Sequence, residues 1–136
     1  KLPWIKRHQL RFRTQAREIP LEHHALDDGH CRAQLRSAVP PLVEKWSALI
    51  GVTAQRVYFR RMKTLWGSCN PRARTIRLNT ELARRSSDCL EYVIVHELTH
   101  FLEPSHNRRF KALMDQFLPS WTHYRKQLNQ SPLPRP

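Results

Sequence analysis

The chain has only three cysteines in 136 residues, Cys31, Cys69 and Cys89, odd in number and widely spaced, with no Cys-x-x-Cys pair among them. That pattern argues against a disulfide framework and a cysteine-built structural zinc site, and free thiols suit a reducing compartment. No apolar run approaches the roughly 18 residues needed to span a bilayer, and the charged stretch 1–13 does not read as a signal peptide. The expectation is a soluble, cytoplasmic protein with no membrane partner. Internal repeats and heptads are missing too, which removes solenoids and coiled coils. Acidic residues are scarce: 11 Asp and Glu stand against 24 Lys and Arg, a formal charge of +13. Such a balance favours an anionic partner, whether nucleotide, nucleic acid or acidic protein surface, without choosing among them. With 40% hydrophobic residues the chain can bury one core but not two.

What is present is concentrated in residues 96–106, where His96-Glu97-Leu98-Thr99-His100 is followed by five residues and then His106. Positions i and i+4 of a helix lie one turn apart on one face, so His96 and His100 can offer two imidazole nitrogens to one metal ion. Glu97 points about 60° around the helix from His100, near enough to contact a water on that metal without being a good ligand itself. Three protein ligands leave zinc an open position, where a water's pKa falls from about 15.7 to about 7 and a neighbouring carboxylate takes its proton.

The third ligand is assigned to His106, because Pro104 and Ser105 break the helix just before it and free it to swing back. Glu103 and Asp115 are the fallback ligands. Ser105 or Asn107 caps a following helix whose apolar stripe holds Phe110, Leu113, Met114 and Phe117. Ser87 and Asp88 are candidate N-caps for the first helix, with Glu91 three residues beyond Asp88 as in a capping box, and nothing interrupts the run before Pro104. Leu90, Ile94, Leu98, Phe101 and Leu102 form its apolar face and Val93 and Val95 widen it nearly all round, so the helix is buried. A metal and its water then satisfy histidines and a glutamate that would otherwise be costly to bury.

Elsewhere, residues 30–50 follow a helical spacing, with Pro40-Pro41 as a kink or restart and Gly51 as the stop. Val57 and Phe59 alternate as a strand, residues 70–74 read as a turn, and residues 75–79 as a returning strand whose exposed edge could hold an extended peptide. Residues 121–128 make a last short helix. His23 and His24 lie in a loop and, like His8, His30 and His123, read as exposed rather than ligating. The arginines gather ahead of the metal helix, and Arg72, Arg74 and Arg77 are candidate phosphate contacts on a rim beside the zinc. In Trp66-Gly67-Ser68-Cys69, Ser68 lacks the helix-opening elbow of an acyl nucleophile, and Cys69 as a fourth ligand would close the site. The segment reads as support: Gly67 allows close backbone approach and Trp66 packs beneath the metal site.

The stretch HELTHFLEPSHNRRF, together with Lys63-Thr64-Leu65-Trp66-Gly67-Ser68-Cys69 and Ile76-Arg77-Leu78-Asn79, resembles the YgjP-like metal-dependent hydrolases, zinc metallopeptidases of zincin-like fold. The resemblance covers residues 57–128; Leu65 stands where the family usually has Arg, and the family's β-rich N-terminal part is largely absent. It implies that Glu97 is the general base and that His96, His100 and His106 are zinc ligands. The expected fold is α+β, a small sheet from residues 56–79 packed on the metal-bearing helix with flanking helices. Residues 1–29 would be a basic remnant of a larger N-terminal part, 30–130 the catalytic domain and 131–136 a Pro-rich tail. The expected cofactor is one zinc ion per chain and the expected activity hydrolysis of a peptide-like substrate. Some family members suggest instead a nucleoside-triphosphate pyrophosphatase acting on UTP, and a third reading is a nucleic-acid-associated module with structural zinc.

Overall fold

The computed structural model describes residues 10–11 and 27–130; the expectations for His8, His23, His24, the rest of the N-terminal segment and the tail fall outside the described residues. Its elements in order are β1 (Leu10–Arg11), α1 (Asp28–Ile50), β2 (Arg56–Arg60), β3 (Leu65–Asn70), β4 (Thr75–Asn79), a 3-10 turn (Thr80–Arg84), α2 (Ser87–Thr99), α3 (Arg108–Phe117) and α4 (Trp121–Gln130). This is the α+β arrangement expected of a zincin-like fold, one small sheet packed on the histidine-bearing helix α2.

Helix α1 starts where the Asp27 side chain accepts from the His30 N–H, and ends at Gly51 in the left-handed region with φ of 84°. It runs unbroken through Pro40-Pro41, so the expected kink or restart is replaced by one 23-residue helix. Each interior proline removes a backbone hydrogen bond and costs about 3 kcal/mol. Burial of Leu35, Val39, Trp46 and Ile50 along one face offsets that cost. Trp46 donates to Glu91 of α2 at 2.6 Å, with Lys45 at 3.2 Å from the same oxygen. Glu91 thus ties two helices together instead of completing a capping box, and the cap of α2 is Ser86, whose hydroxyl accepts from the Cys89 N–H.

The sheet order is β1-β3-β4-β2, with β3 antiparallel to β4 and β2 parallel to it. This corrects two expectations. The segment 65–70, read above only as support for the site, is a strand, and β4 is an interior strand, so the edge assigned to residues 75–79 is already occupied by β3 and β2. Asn79 is fully buried and fixes the crossover: its side-chain amide donates to the Met62 and Leu65 carbonyls at 2.8 and 2.7 Å, and its oxygen accepts from the Glu81 N–H. Ile76 and Leu78 face the helices and α2 lies across that face, with every residue from Tyr92 to His100 buried. No helix among the described residues is long and apolar enough to cross a membrane.

Candidate metal centre

Helix α2 closes at Thr99 with His100 as its C-cap, earlier than the proline alone implies. The chain then turns through Phe101 and Leu102, whose N–H groups bond back to the Leu98 and Thr99 carbonyls. Asn107 caps α3 by accepting from the Phe110 N–H at 3.0 Å, which places His106 at the corner between the two helices. The corner is braced by Glu103, whose carboxylate accepts from the Ser105 N–H and lies 3.4 Å from Arg109.

This local geometry brings three Nε2 atoms together. His96 and His100 approach to 3.2 Å, His100 and His106 to 2.8 Å, and His96 and His106 to 3.2 Å. Ligand atoms at tetrahedral angles and about 2.05 Å from a zinc ion stand about 3.3 Å apart, so the trio is close to a ready ligand set. Among the described residues these three form the one cluster able to hold a metal ion. Neither fallback ligand joins it: Glu103 is engaged at the turn, and Asp115 accepts from the Trp121 indole at 2.7 Å. Glu103 contributes through its backbone instead. Its carbonyl accepts from His100 Nδ1 at 3.0 Å, which keeps the proton on that nitrogen and leaves Nε2 free to ligate.

Burial shapes the electrostatics. Desolvation, then the neighbouring histidines and Arg125, hold His96 well below the ordinary imidazole value; desolvation, Arg125 and Lys111 lower His106. Both rings are therefore neutral at pH 7, the form a metal requires. Glu97 is fully buried, and desolvation pushes its carboxyl well above the usual carboxylate range, with the Cys69 thiol pulling slightly the other way. The carboxylate rests against β3: a Cβ added at Gly67 would stand 3.0 Å from Glu97 Oε2 and 2.8 Å from a Val93 methyl. Two histidines, an acid and a cradle only glycine can form thus share one dry compartment.

Other expected residues lie elsewhere. Trp66 is buried, and its ring faces the Arg85 guanidinium 5.1 Å away. Ser68 pairs with Arg77 on the sheet face opposite Ile76, Leu78 and Glu97. Arg72 and Arg74 sit in the exposed turn joining β3 to β4, which Asn70 organises by accepting from the Arg72 and Ala73 N–H groups. Arg77 therefore faces away from Glu97, and among the described residues no hydrogen bond or ion pair joins Arg72 or Arg74 to the histidines. A one-residue step along a strand changes the face, and Arg77 is on the outer one.

Three residues at the site were not singled out from the sequence. Tyr92 is one turn before His96, its ring edge-on at 5.8 Å, and the 92, 96, 100 spacing was the available signal. Phe110 stacks on His100 with centroids 4.3 Å apart and meets His96 and His106 edge-on, walling in all three rings. Arg125 of α4 lies across Trp121 and reaches His96, His106 and Tyr92 electrostatically; nothing local in the sequence marks it.

No curated protein and no solved structure matches the chain. A family description does, spanning residues 4–131 and so extending well upstream of the residues that carried the resemblance. With a three-histidine cluster suited to a metal ion on its buried helix and this match over nearly its whole length, the chain belongs to the YgjP-like family, described as a metallopeptidase domain, and is in general terms a metal-dependent hydrolase.

Proposed function

We propose that the protein is a zinc-dependent hydrolase of peptide-like substrates in which His96, His100 and His106 hold the metal and Glu97 is the general base and then the proton donor. The convergence of three imidazole nitrogens within 3.2 Å of one another, beside a buried carboxyl group, carries this reading. When bound, zinc would polarise the substrate carbonyl and acidify a coordinated water. Glu97 accepts the proton and returns it to the leaving amine, a role suited to a carboxyl whose burial raises its proton affinity towards neutral pH. Gly67 fixes where that carboxyl sits, while Phe110 and Tyr92 keep bulk water from the back of the histidines.

The strand beside Glu97 is β3. Among the described residues β1 pairs with it at Leu65 and Gly67 and none pairs with the outer edge of Ser68 to Asn70, which is where an extended substrate would lie in this reading. This edge takes the place first assigned to β4. The nucleotide reading rested on Arg72, Arg74 and Arg77; Arg77 lies on the outer face of the sheet, and no contact among the described residues ties Arg72 or Arg74 to the histidines, which leaves it without direct support.

The test combines metal analysis with a substrate panel. Protein purified without added metal should carry about one zinc per chain. Glu97→Gln should keep that metal while hydrolysis of unstructured polypeptides falls by about 100-fold or more, and His100→Ala should lose both. Equal metal loss in the two variants would make Glu97 a ligand and sink the assignment. Glu97-dependent pyrophosphate release from UTP without peptide cleavage would overturn the substrate class. A metal-loaded protein inert on the whole panel, but binding nucleic acid with steep salt dependence, would favour a module with structural zinc.

A further inference from the structure

The far side of the sheet carries a second feature, two strands away from Glu97. Strand β2 pairs with β4 on one side only, and among the described residues nothing pairs with its outer edge. An open edge presents a row of main-chain donors and acceptors at strand spacing. Between this edge and α1 runs a groove of about 420 Å³ with an apolar floor of Val39, Val43, Val57 and Phe59. It continues into a second hollow of about 350 Å³ along residues 57–60, walled by Arg32 and Arg36.

Strand alternation sorts the side chains at this edge. Val57 and Phe59 pair with Ile76 and Leu78 and face the helices, whereas Tyr58 pairs with Arg77 and shares the outer face with Arg56 and Arg60. The groove side is therefore apolar with Arg32 and Arg36 at its rim, and the outer side carries Arg56, Arg60 and Arg77. Among the described residues, none of these five arginines makes an ion pair, and the Arg32 Nε is buried with no hydrogen-bond partner. Glu44 is the one acid lining the groove. These cations are much of what gave the sequence its basic stretch, and the histidine site does not use them.

We infer that the β2 edge is a docking site for an extended acidic segment of a partner protein, one that adds as a strand beside residues 56–60. Period two fixes the ligand's pattern: alternate side chains are apolar and enter the groove over Val39, Val43, Val57 and Phe59, and those between are carboxylates facing Arg56, Arg60 and Arg77. A nucleic acid would satisfy the charge but neither the main-chain edge nor the apolar floor. The site involves neither the histidines nor Glu97, so it stands independently of the hydrolase reading.

The probe is a fluorescent peptide of about eight residues alternating glutamate with valine. Its comparators are a peptide of identical composition with all glutamates at one end, a lysine–valine alternating peptide and a single-stranded oligonucleotide, all read by anisotropy at physiological salt. The alternating acidic peptide should bind at least about ten-fold tighter than the block peptide. Arg56→Glu with Arg60→Glu should weaken it by at least about ten-fold and gain binding to the lysine–valine peptide, although the protein remains strongly cationic overall. Both positions are exposed, and a circular dichroism spectrum unchanged from wild type confirms that the fold is kept; Arg36→Glu, on the other wall, provides a second weakened variant. Equal binding of alternating and block peptides, loss without the lysine–valine swap, no binding of any peptide, or an oligonucleotide that displaces the acidic peptide through the same arginines would each overturn the proposal.

Discussion

Replacing Gly67 with alanine tests the cradle under Glu97 most directly. Gly67 does not use a positive φ, so the backbone accepts alanine, and the stiffer unfolded chain would by itself stabilise the protein by about 0.4–1 kcal/mol. Against that, the new methyl group would stand 2.8 Å from a Val93 methyl, 3.0 Å from Glu97 Oε2 and 3.2 Å from Glu97 Cγ. Forcing one methyl group into a packed core costs about 1–3 kcal/mol, so the net loss should be about 0.5–2 kcal/mol, a fall of roughly 2–8 °C in Tm. The functional loss should be larger in proportion, because a displacement of about 1 Å in the general base can cost about 100-fold in rate. Val93→Ala separates the two contacts. Alone it should cost about 2 kcal/mol through lost burial, but with Gly67→Ala the losses should fall short of additivity by about 1 kcal/mol, since the shorter side chain makes room. Turnover should not recover in the double variant, because the Glu97 contact persists. Urea unfolding, zinc content and Glu97-dependent hydrolysis, measured side by side, give the answer. If Gly67→Ala kept both wild-type stability and turnover, or if Val93→Ala restored turnover, the cradle would not be what positions Glu97.

Asn107→Ala removes the cap that holds His106 at its corner; stability should fall by about 1 kcal/mol and zinc affinity with it, and a variant as stable and as tightly loaded as wild type would show that the corner does not depend on the cap. Zinc binding should release protons from the site, part of them from Glu97. His96 and His106 are held below the ordinary imidazole value and are already neutral, whereas burial raises the proton affinity of Glu97 and a bound dication lowers it again. Calorimetry in buffers of different ionisation enthalpy should then find less release in Glu97→Gln, and an unchanged count would contradict the assignment. Replacing Arg72, Arg74 and Arg77 together with Gln should leave zinc content and the rate on the active-site substrate within about two-fold of wild type; a large rise in KM would mean that these side chains reach the histidines after all.

Helix content was largely legible because its signals are local, and the errors fall where local signals compete. Ser86, Ser87 and Asp88 can all cap a helix, and what singles out Ser86 is an extended backbone, which side-chain identity does not disclose. Pro40-Pro41 reads as a break until Leu35, Val39, Trp46 and Ile50 are seen to bury a common face. The sheet was harder to read for a different reason. Residues 65–70 bury the adjacent Trp66 and Gly67 and leave Leu65 part-exposed rather than alternating cleanly, so β3 carries little period-two signal. The parallel pairing of β2 with β4, which skips β3 along the chain, is a non-local choice that no spacing encodes. Once made, it closes both edges of β4 and turns Arg77 outward.

The metal cluster was legible because chelation by His96, His100 and His106 needs only one helical turn and one break, both written within eleven consecutive residues. What converts that cluster into a working site comes from further away: Gly67 from β3, Phe110 from α3 and Arg125 from α4. Their effects on the acid and on the ligands run in opposite directions. The dry compartment raises the proton affinity of Glu97, while the same desolvation and the Arg125 charge lower that of His96 and His106. At neutral pH the histidines are therefore free for a metal and the carboxyl is set to exchange a proton, from groups that would titrate within about two units of one another in water. A helix carrying the same motif on an open surface would keep the spacing and lose that separation. The division of roles between Glu97 and its neighbours is thus a property of the packing, and the Gly67 and Val93 substitutions perturb it without touching any of the three ligands.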